Sequence, residues 1–207
     1  MSNVCEMRDR LRLRALATAL LLASVTPVAV GARALQIAGP EMNAAMPKEG
    51  QTAPDFSLTA LDGKTIRLSE ELALGPVVLV VLRGWPGYQC PFCTRQFGEY
   101  MARAREIEAT GAHVLFVYPG PAQGLKAHAE AFTKMAPLPA AYRVLPDPDY
   151  AFTRRYGLRW QAKDETAYPS TFVIERNGRI AFARISQEHG DRVPVDEVMN
   201  VLRRLSR

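Results

Sequence analysis

From about Glu49 onward the apolar positions alternate between short β-branched runs and longer stretches spaced three and four apart. Val77–Leu82, entered through Pro76, is a continuous apolar run. It reads as a strand buried on both faces in the middle of a mixed or parallel sheet. Val114–Val117 reads as a second such strand. Between them Phe92, Cys93, Phe97, Tyr100, Ala104 and Ile107 recur at helical spacing, with Arg95, Glu99, Arg103 and Glu106 facing away. This predicts one long helix from Cys90 to about Thr110, closed by Gly111. Two hairpins are signalled, one by Asp62-Gly63 between Phe56–Leu58 and Thr65–Leu68. The other is signalled by Asn177-Gly178 between Thr171–Ile174 and Ile180–Ile185. Leu125–Met135 predicts a helix, Tyr142–Leu145 a short strand and Tyr150–Tyr156 a helical turn. Val195, Val198, Leu202 and Leu205 form the apolar face of a closing helix. Strand, helix, strand, helix, then an antiparallel hairpin and a helix, predicts an α/β sandwich.

Residues 1–34 follow another pattern. Arg8, Arg10, Arg12 and Arg14 precede the uncharged, Ala-, Leu- and Val-rich stretch Ala15–Ala32, which closes on Ala32-Arg33-Ala34. That order is a secretory signal peptide. It leads us to expect an exported chain, periplasmic or extracytoplasmic, and a membrane-anchored one if the segment stays uncleaved. Residues 35–48 hold no sustained period and read as a linker, which leaves 49–207 as the folded domain. The division changes the charge. The chain carries 26 Lys+Arg against 21 Asp+Glu, a net +5, but residues 35–207 hold 21 basic and 19 acidic side chains and no run of five like charges. A nucleic-acid partner is therefore not expected. A chain of 207 residues with 48% hydrophobic content is not a disordered one. Cys5 leaves with the leader, so Cys90 and Cys93 are the cysteines of the domain.

The pair Cys90-Pro91-Phe92-Cys93 stands where a buried strand hands over to a helix. Unpaired N–H groups and the helix dipole favour an anion there, which lowers a thiol pKa. Pro91 at the first helical position costs no hydrogen bond. The i,i+3 spacing puts both sulfurs on one face, Cys93 on the buried stripe and Cys90 at the exposed end. One thiol can then attack while the other resolves. A structural disulfide, a zinc knuckle and inert core thiols are the bland alternatives. Zinc is short of ligands, since His113, His128 and His189 are scattered. Tyr168-Pro169 immediately before the Thr171–Ile174 strand is the second marker. A cis bond there would present backbone polar groups beside the cysteines.

These stretches resemble the alkyl hydroperoxide reductase/thiol-specific antioxidant family, the peroxiredoxin-like members of the thioredoxin fold. The resemblance rests on Ala53-Pro-Asp-Phe-Ser-Leu58, the Val77–Leu82 strand, Pro86-x-x-x-Cys90-x-x-Cys93, Leu145–Asp149 with Tyr156-Gly157, and Pro169–Ile174. It implies a thioredoxin-like three-layer sandwich with a central mixed β-sheet and an N-terminal β-hairpin extension. It also implies a thiol-dependent antioxidant oxidoreductase cycling between a Cys90/Cys93 dithiol and a disulfide, with no bound cofactor and an external dithiol reductant, thioredoxin-like or membrane-derived. The family's register makes Cys93 the peroxide-attacking thiol, with Cys90 where the family has Thr or Ser. Pro169 replaces the family's peroxide-polarising arginine. Both departures leave two readings open. In a peroxidase, Cys93 attacks a hydroperoxide, Cys90 resolves, and Arg83 supplies the positive charge. In a thiol-disulfide oxidoreductase acting on protein disulfides, Cys90 attacks, Cys93 resolves, and Pro169 orients the partner chain. A Cu(I)-binding module is a third, weaker reading. Trp85 with Tyr88 could form an apolar lip beside the cysteines, and Gln96, one turn after Cys93, a nearby hydrogen bond. Arg154, Arg155 and Arg159 read as a solvated patch. The sequence gives no oligomeric state.

Overall fold

The computed structural model describes residues 45–134 and 137–206, so the leader read over 1–34 and most of the 35–48 linker lie outside them. A five-stranded sheet carries the chain. Its strands are β3 (Val77–Val81), β4 (His113–Gly120), β5 (Tyr142–Pro148), β6 (Ser170–Ile174) and β7 (Ile180–Ile185), in spatial order β5-β4-β3-β6-β7. β4 runs parallel to β3 and β5, β6 antiparallel to β3, and β7 antiparallel to β6, which makes the sheet mixed. β1 (Ser57–Thr59) and β2 (Thr65–Arg67) form the separate N-terminal hairpin around Asp62-Gly63.

The sheet divides the core in two, because successive side chains of a strand point to opposite faces. Val78, Val80, Phe116 and Val173 pack with Phe97 and Tyr100 of α2 (Pro91–Ala102), Ile107 of α3 (Ala104–Glu108), Phe132 of α4 (Leu125–Thr133) and Leu202 of α6 (Val195–Leu205). Val77, Leu79, Val81 and Phe172 face the other way. They meet Phe56, Leu68 and Leu72 of α1 (Leu68–Leu74), and Phe152 of α5 (Ala151–Arg155). This is the expected three-layer α/β sandwich of thioredoxin-like type. Every residue of β3 and β6 is buried, as the unbroken apolar run at Val77–Leu82 requires.

Two elements differ from expectation. The single helix over 90–110 is broken at Arg103, whose backbone leaves the helical region (φ −106°, ψ 11°). Arg103 Nε donates to Glu106 Oε1 at 2.5 Å and its Nη1 pairs with Asp196 at the start of α6. Leu68, expected to end a strand, instead opens α1. Among the described residues no helix is long and apolar enough to cross a membrane.

Candidate functional site

β3 leaves the sheet through a turn that glycine alone fits. Gly84 has φ +70°, and a Cβ there would lie 2.0 Å from the Pro119 carbonyl oxygen. The Trp85 N–H then donates to that same carbonyl at 2.9 Å. The loop through Pro86 and Gly87 delivers Cys90 as the residue preceding α2, with Pro91 in the first helical position. The Thr94 N–H donates to Cys90 O at 3.0 Å, the first turn of the helix, and this turn puts Cys93 over Cys90. Both thiols are free. Cys93 is 1% exposed, as its place on the buried stripe requires. Cys90, expected at the exposed end, is also 1% exposed.

The group facing both sulfurs is Arg192. Its Nη2 stands 3.7 Å from Cys93 Sγ and 4.0 Å from Cys90 Sγ. Nη1 donates to Gln96 Oε1 at 3.3 Å, and Nε to the His189 carbonyl at 2.7 Å. No role for Arg192 follows from the sequence. It lies 99 residues from Cys93 in a segment with no motif, and only the packing of the final hairpin and α6 beside α2 brings it there. Arg83, expected to supply the charge, is 4% exposed and committed elsewhere. Its Nε donates to Glu165 Oε2 at 2.9 Å, its Nη2 to Asp164 O at 2.9 Å, and its Nη1 to Tyr88 Oη. A buried guanidinium requires such partners, and the Glu165 carboxylate neutralises it.

The two thiols are electrostatically unequal. The Cys93 thiol, donating a hydrogen bond to its neighbour, is the largest cause that draws Cys90 down to about 5. Burial opposes this, and the Cys93 N–H, the Arg192 charge and the Phe92 N–H assist it. Cys93 moves the opposite way. Burial pushes it well above the ordinary thiol range, and its role as donor to Cys90 adds to the rise, against the pull of Arg192 and the Gly84 N–H. The two thiols therefore ionise as a pair, with the first negative charge drawn towards Cys90 and the proton held towards Cys93.

The remaining candidates gather unevenly. Gln96 is buried and bonded to Arg192. Pro169 shares a narrow gap with Gln96, Ser170, Thr171 and Arg192 that has no room for a water. Both backbone groups of Tyr168 are already engaged within the chain. Its N–H donates to Leu158 O at 2.9 Å and its carbonyl accepts from Ser170 Oγ at 2.8 Å, while Pro169 O accepts from the Ser186 N–H. Trp85 stacks on His128 with ring centroids 3.6 Å apart, and Tyr88 is exposed. His113 pairs with Glu71 at 2.5 Å and His189 with Glu165 at 2.9 Å. Arg159 is not solvated as expected, since its Nη1 donates to the carbonyls of Glu165 and Thr166. Among the described residues no three His, Cys, Asp or Glu side chains are grouped to share a metal ion. A cavity of about 320 Å³, lined by Glu49, Glu175, Arg179 and Arg204 among others, involves none of the site's residues.

An asymmetric dithiol at the start of a helix, beside a mixed five-stranded sheet, defines a thiol oxidoreductase of thioredoxin-like fold. The chain belongs to the AhpC/TSA family, whose model matches residues 50–183. Among solved structures it is similar to the peroxidoxin BcpB of Mycobacterium tuberculosis, at 25% identity and TM-score 0.61, covering 76% of this chain and 97% of that one. It is also similar in fold to Mycobacterium tuberculosis AhpC, at 20% identity and TM-score 0.61, over 77% and 93% of the two chains. A putative thiol:disulfide interchange protein DsbE from Chlorobium tepidum shares the fold too, at 24% identity and TM-score 0.56, over 75% and 98%. A sequence search of curated proteins finds no match.

Proposed function

We propose that this protein reduces hydroperoxides, with Cys90 as the attacking thiolate and Cys93 as the resolving thiol. The observation that carries the reading is the enclosed pair of sulfurs with the Arg192 guanidinium facing both, 4.0 Å from Cys90 Sγ and 3.7 Å from Cys93 Sγ, beside an ionisation of Cys90 that is drawn down. Acidity alone would not suffice. Lowering a thiol from 9.0 to about 5 raises its thiolate fraction at pH 7 by ~100-fold. The accompanying loss of nucleophilicity, with a Brønsted slope of about 0.4–0.5, costs ~40–100-fold. The two nearly cancel, so the advantage has to come from charge placed where the O–O bond breaks. Arg192 is within reach of that position.

In the reaction, Cys90 Sγ attacks the terminal peroxide oxygen and the O–O bond breaks. The sulfur is oxidised by two electrons to a sulfenic acid, and the departing alkoxide takes a proton from solvent to give the alcohol. Cys93 Sγ then attacks the sulfenic sulfur, water leaves, and a Cys90–Cys93 disulfide forms. An external dithiol returns the pair to the reduced state. Family membership and the near-complete burial of both sulfurs, which suits a small substrate, support this reading. We assign the protein to an extracytoplasmic compartment on the strength of the Arg-rich and apolar segment in residues 1–34.

A second reading, thiol-disulfide exchange with proteins, is favoured by one observation. A thiol as acidic as Cys90 is a good leaving group from a mixed disulfide. Against it, the Tyr168–Pro169 backbone that would pair with a partner chain is already hydrogen-bonded internally. The deciding experiment follows steady-state hydroperoxide consumption with an external dithiol, beside reduction of insulin disulfides. Peroxide turnover lost in both Cys90→Ser and Cys93→Ser, with insulin left unreduced by the wild type, is the expected result. Insulin reduction without peroxide turnover would replace this reading with the second.

A further inference from the structure

Arg192 belongs to a segment, Ser186–Val193, that crosses the start of α2 between β7 and α6. The segment is tied at its ends. The Ser186 N–H donates to Pro169 O at 2.8 Å, and Val193 is buried in the core. Its tip is held by a side chain, since His189 Nε2 lies 2.9 Å from Glu165 Oε1. Glu165, on the loop between α5 and β6, grips Arg83 with the same carboxylate, through Oε2 at 2.9 Å and Oε1 at 3.3 Å. The residue before it, Asp164, stands in the left-handed region at φ +59°, which is uncommon for a residue with a side chain. This turn aims both the Asp164 carbonyl and the Glu165 carboxylate at Arg83. A chain of contacts thus runs from Arg83 through Glu165 to His189, whose carbonyl accepts the Arg192 Nε, and ends on the two sulfurs.

We propose that Glu165, acting through His189, is the positioning residue that sets Arg192 on the dithiol, with Arg83 as its fixed anchor. Arg83 then has the part of a brace, in place of the charge donor that the sequence pattern made it. The proposal rests on the hydroperoxide reading and names what holds that site's charged group. It is tested by a property of the thiol that does not depend on any peroxide.

The sign of one measurement separates positioning from simple electrostatics. Removing the negative charge of Glu165, with everything else in place, would favour the Cys90 thiolate and move its ionisation to lower pH. If Glu165 instead sets Arg192, its loss takes the positive charge away and moves that ionisation up. The groups facing Cys90 are Cys93, Arg192 and the Phe92 and Cys93 N–H groups, with Tyr118 close enough to both thiols to feel their charge. The experiment is the rate of alkylation of Cys90 against pH in Glu165→Gln, His189→Ala, Arg192→Met and the double variant His189→Ala/Arg192→Met. The inflection should rise by about one pH unit in each single variant, which lowers the thiolate fraction about twofold at pH 6 and by nearly tenfold well below pH 5. Glu165→Asp should recover part of the loss. In the Arg192→Met background, His189→Ala should add nothing. A fall or no change in the inflection of Glu165→Gln, or full additivity of His189→Ala with Arg192→Met, overturns the proposal. Should Glu165→Gln fail to fold with Arg83 left short of a partner, the His189→Ala pair of measurements decides alone. If these changes appear while peroxide turnover is absent, the positioning stands and the hydroperoxide reading falls.

Discussion

At Cys90 the dominant influence is its own partner. The Cys93 thiol donates to it, and that contact outweighs the Arg192 charge in drawing Cys90 down to about 5. Serine can donate the same bond and alanine cannot. Cys93→Ala should therefore move the inflection of Cys90 alkylation up by about one pH unit or more, while Cys93→Ser leaves it near the wild-type value. Equal changes in the two variants would show that the Cys93 hydrogen bond is not the cause. The cysteines themselves were legible, because a strand–turn–helix context gives the two-residue spacing its meaning. Arg192 was not. A lone arginine on an irregular segment carries no local pattern, and its position is set by contacts made 96 and 99 residues away in the chain. Arg83 sits beside the motif in sequence and was the natural candidate, but burial forces it onto Glu165.

At the level of elements, the apolar spacings located the strands and most of the helices, since each is buried along one stripe or on both faces. They missed the break at Arg103 because the apolar stripe runs through it undisturbed, from Tyr100 to Ala104 and Ile107, and the cause of the break lies in partners on α3 and α6. They missed α1 because Leu68–Leu74 is only seven residues long and is preceded by Arg67, which offers no capping side chain. The turn after β3 is where an element and the site meet. Gly84→Ala puts a methyl 2.0 Å from the Pro119 oxygen in a left-handed backbone, so the loop carrying Cys90 must move. A loss of ~2–4 kcal/mol in urea unfolding is expected, with weakened thiol acidity in the folded fraction. A change within about 0.5 kcal/mol would mean the loop adapts freely.

For the molecule as a whole, the unequal thiols tie redox state to stability. Cys90 has its folded-state ionisation lowered from 9.0 to about 5, so its contribution is fully present above about 9 and is lost as pH falls through about 5. The reduced protein should therefore gain stability relative to the disulfide form as pH rises between about 5 and 9. Cys93 is raised, so it opposes folding only above the ordinary thiol range, and the gain should reverse there. Urea midpoints of the reduced and oxidised forms across the range from about pH 5 to about pH 9 would show this, and parallel pH dependences would contradict it. The same asymmetry would make a Cys90–Cys93 disulfide easier to reduce, because it stabilises the thiolate that reduction releases.

Whether Cys90 is the attacking sulfur is decided by a single turnover with one equivalent of hydrogen peroxide and a sulfenic-acid trap, with the labelled residue located by mass spectrometry. In Cys93→Ser the trap should label Cys90 at a rate close to that of wild-type oxidation, and Cys90→Ser should stay unlabelled. Label on Cys93 in Cys90→Ser, with Cys93→Ser inert, would make Cys93 the attacking sulfur and restore the family's usual register to this chain.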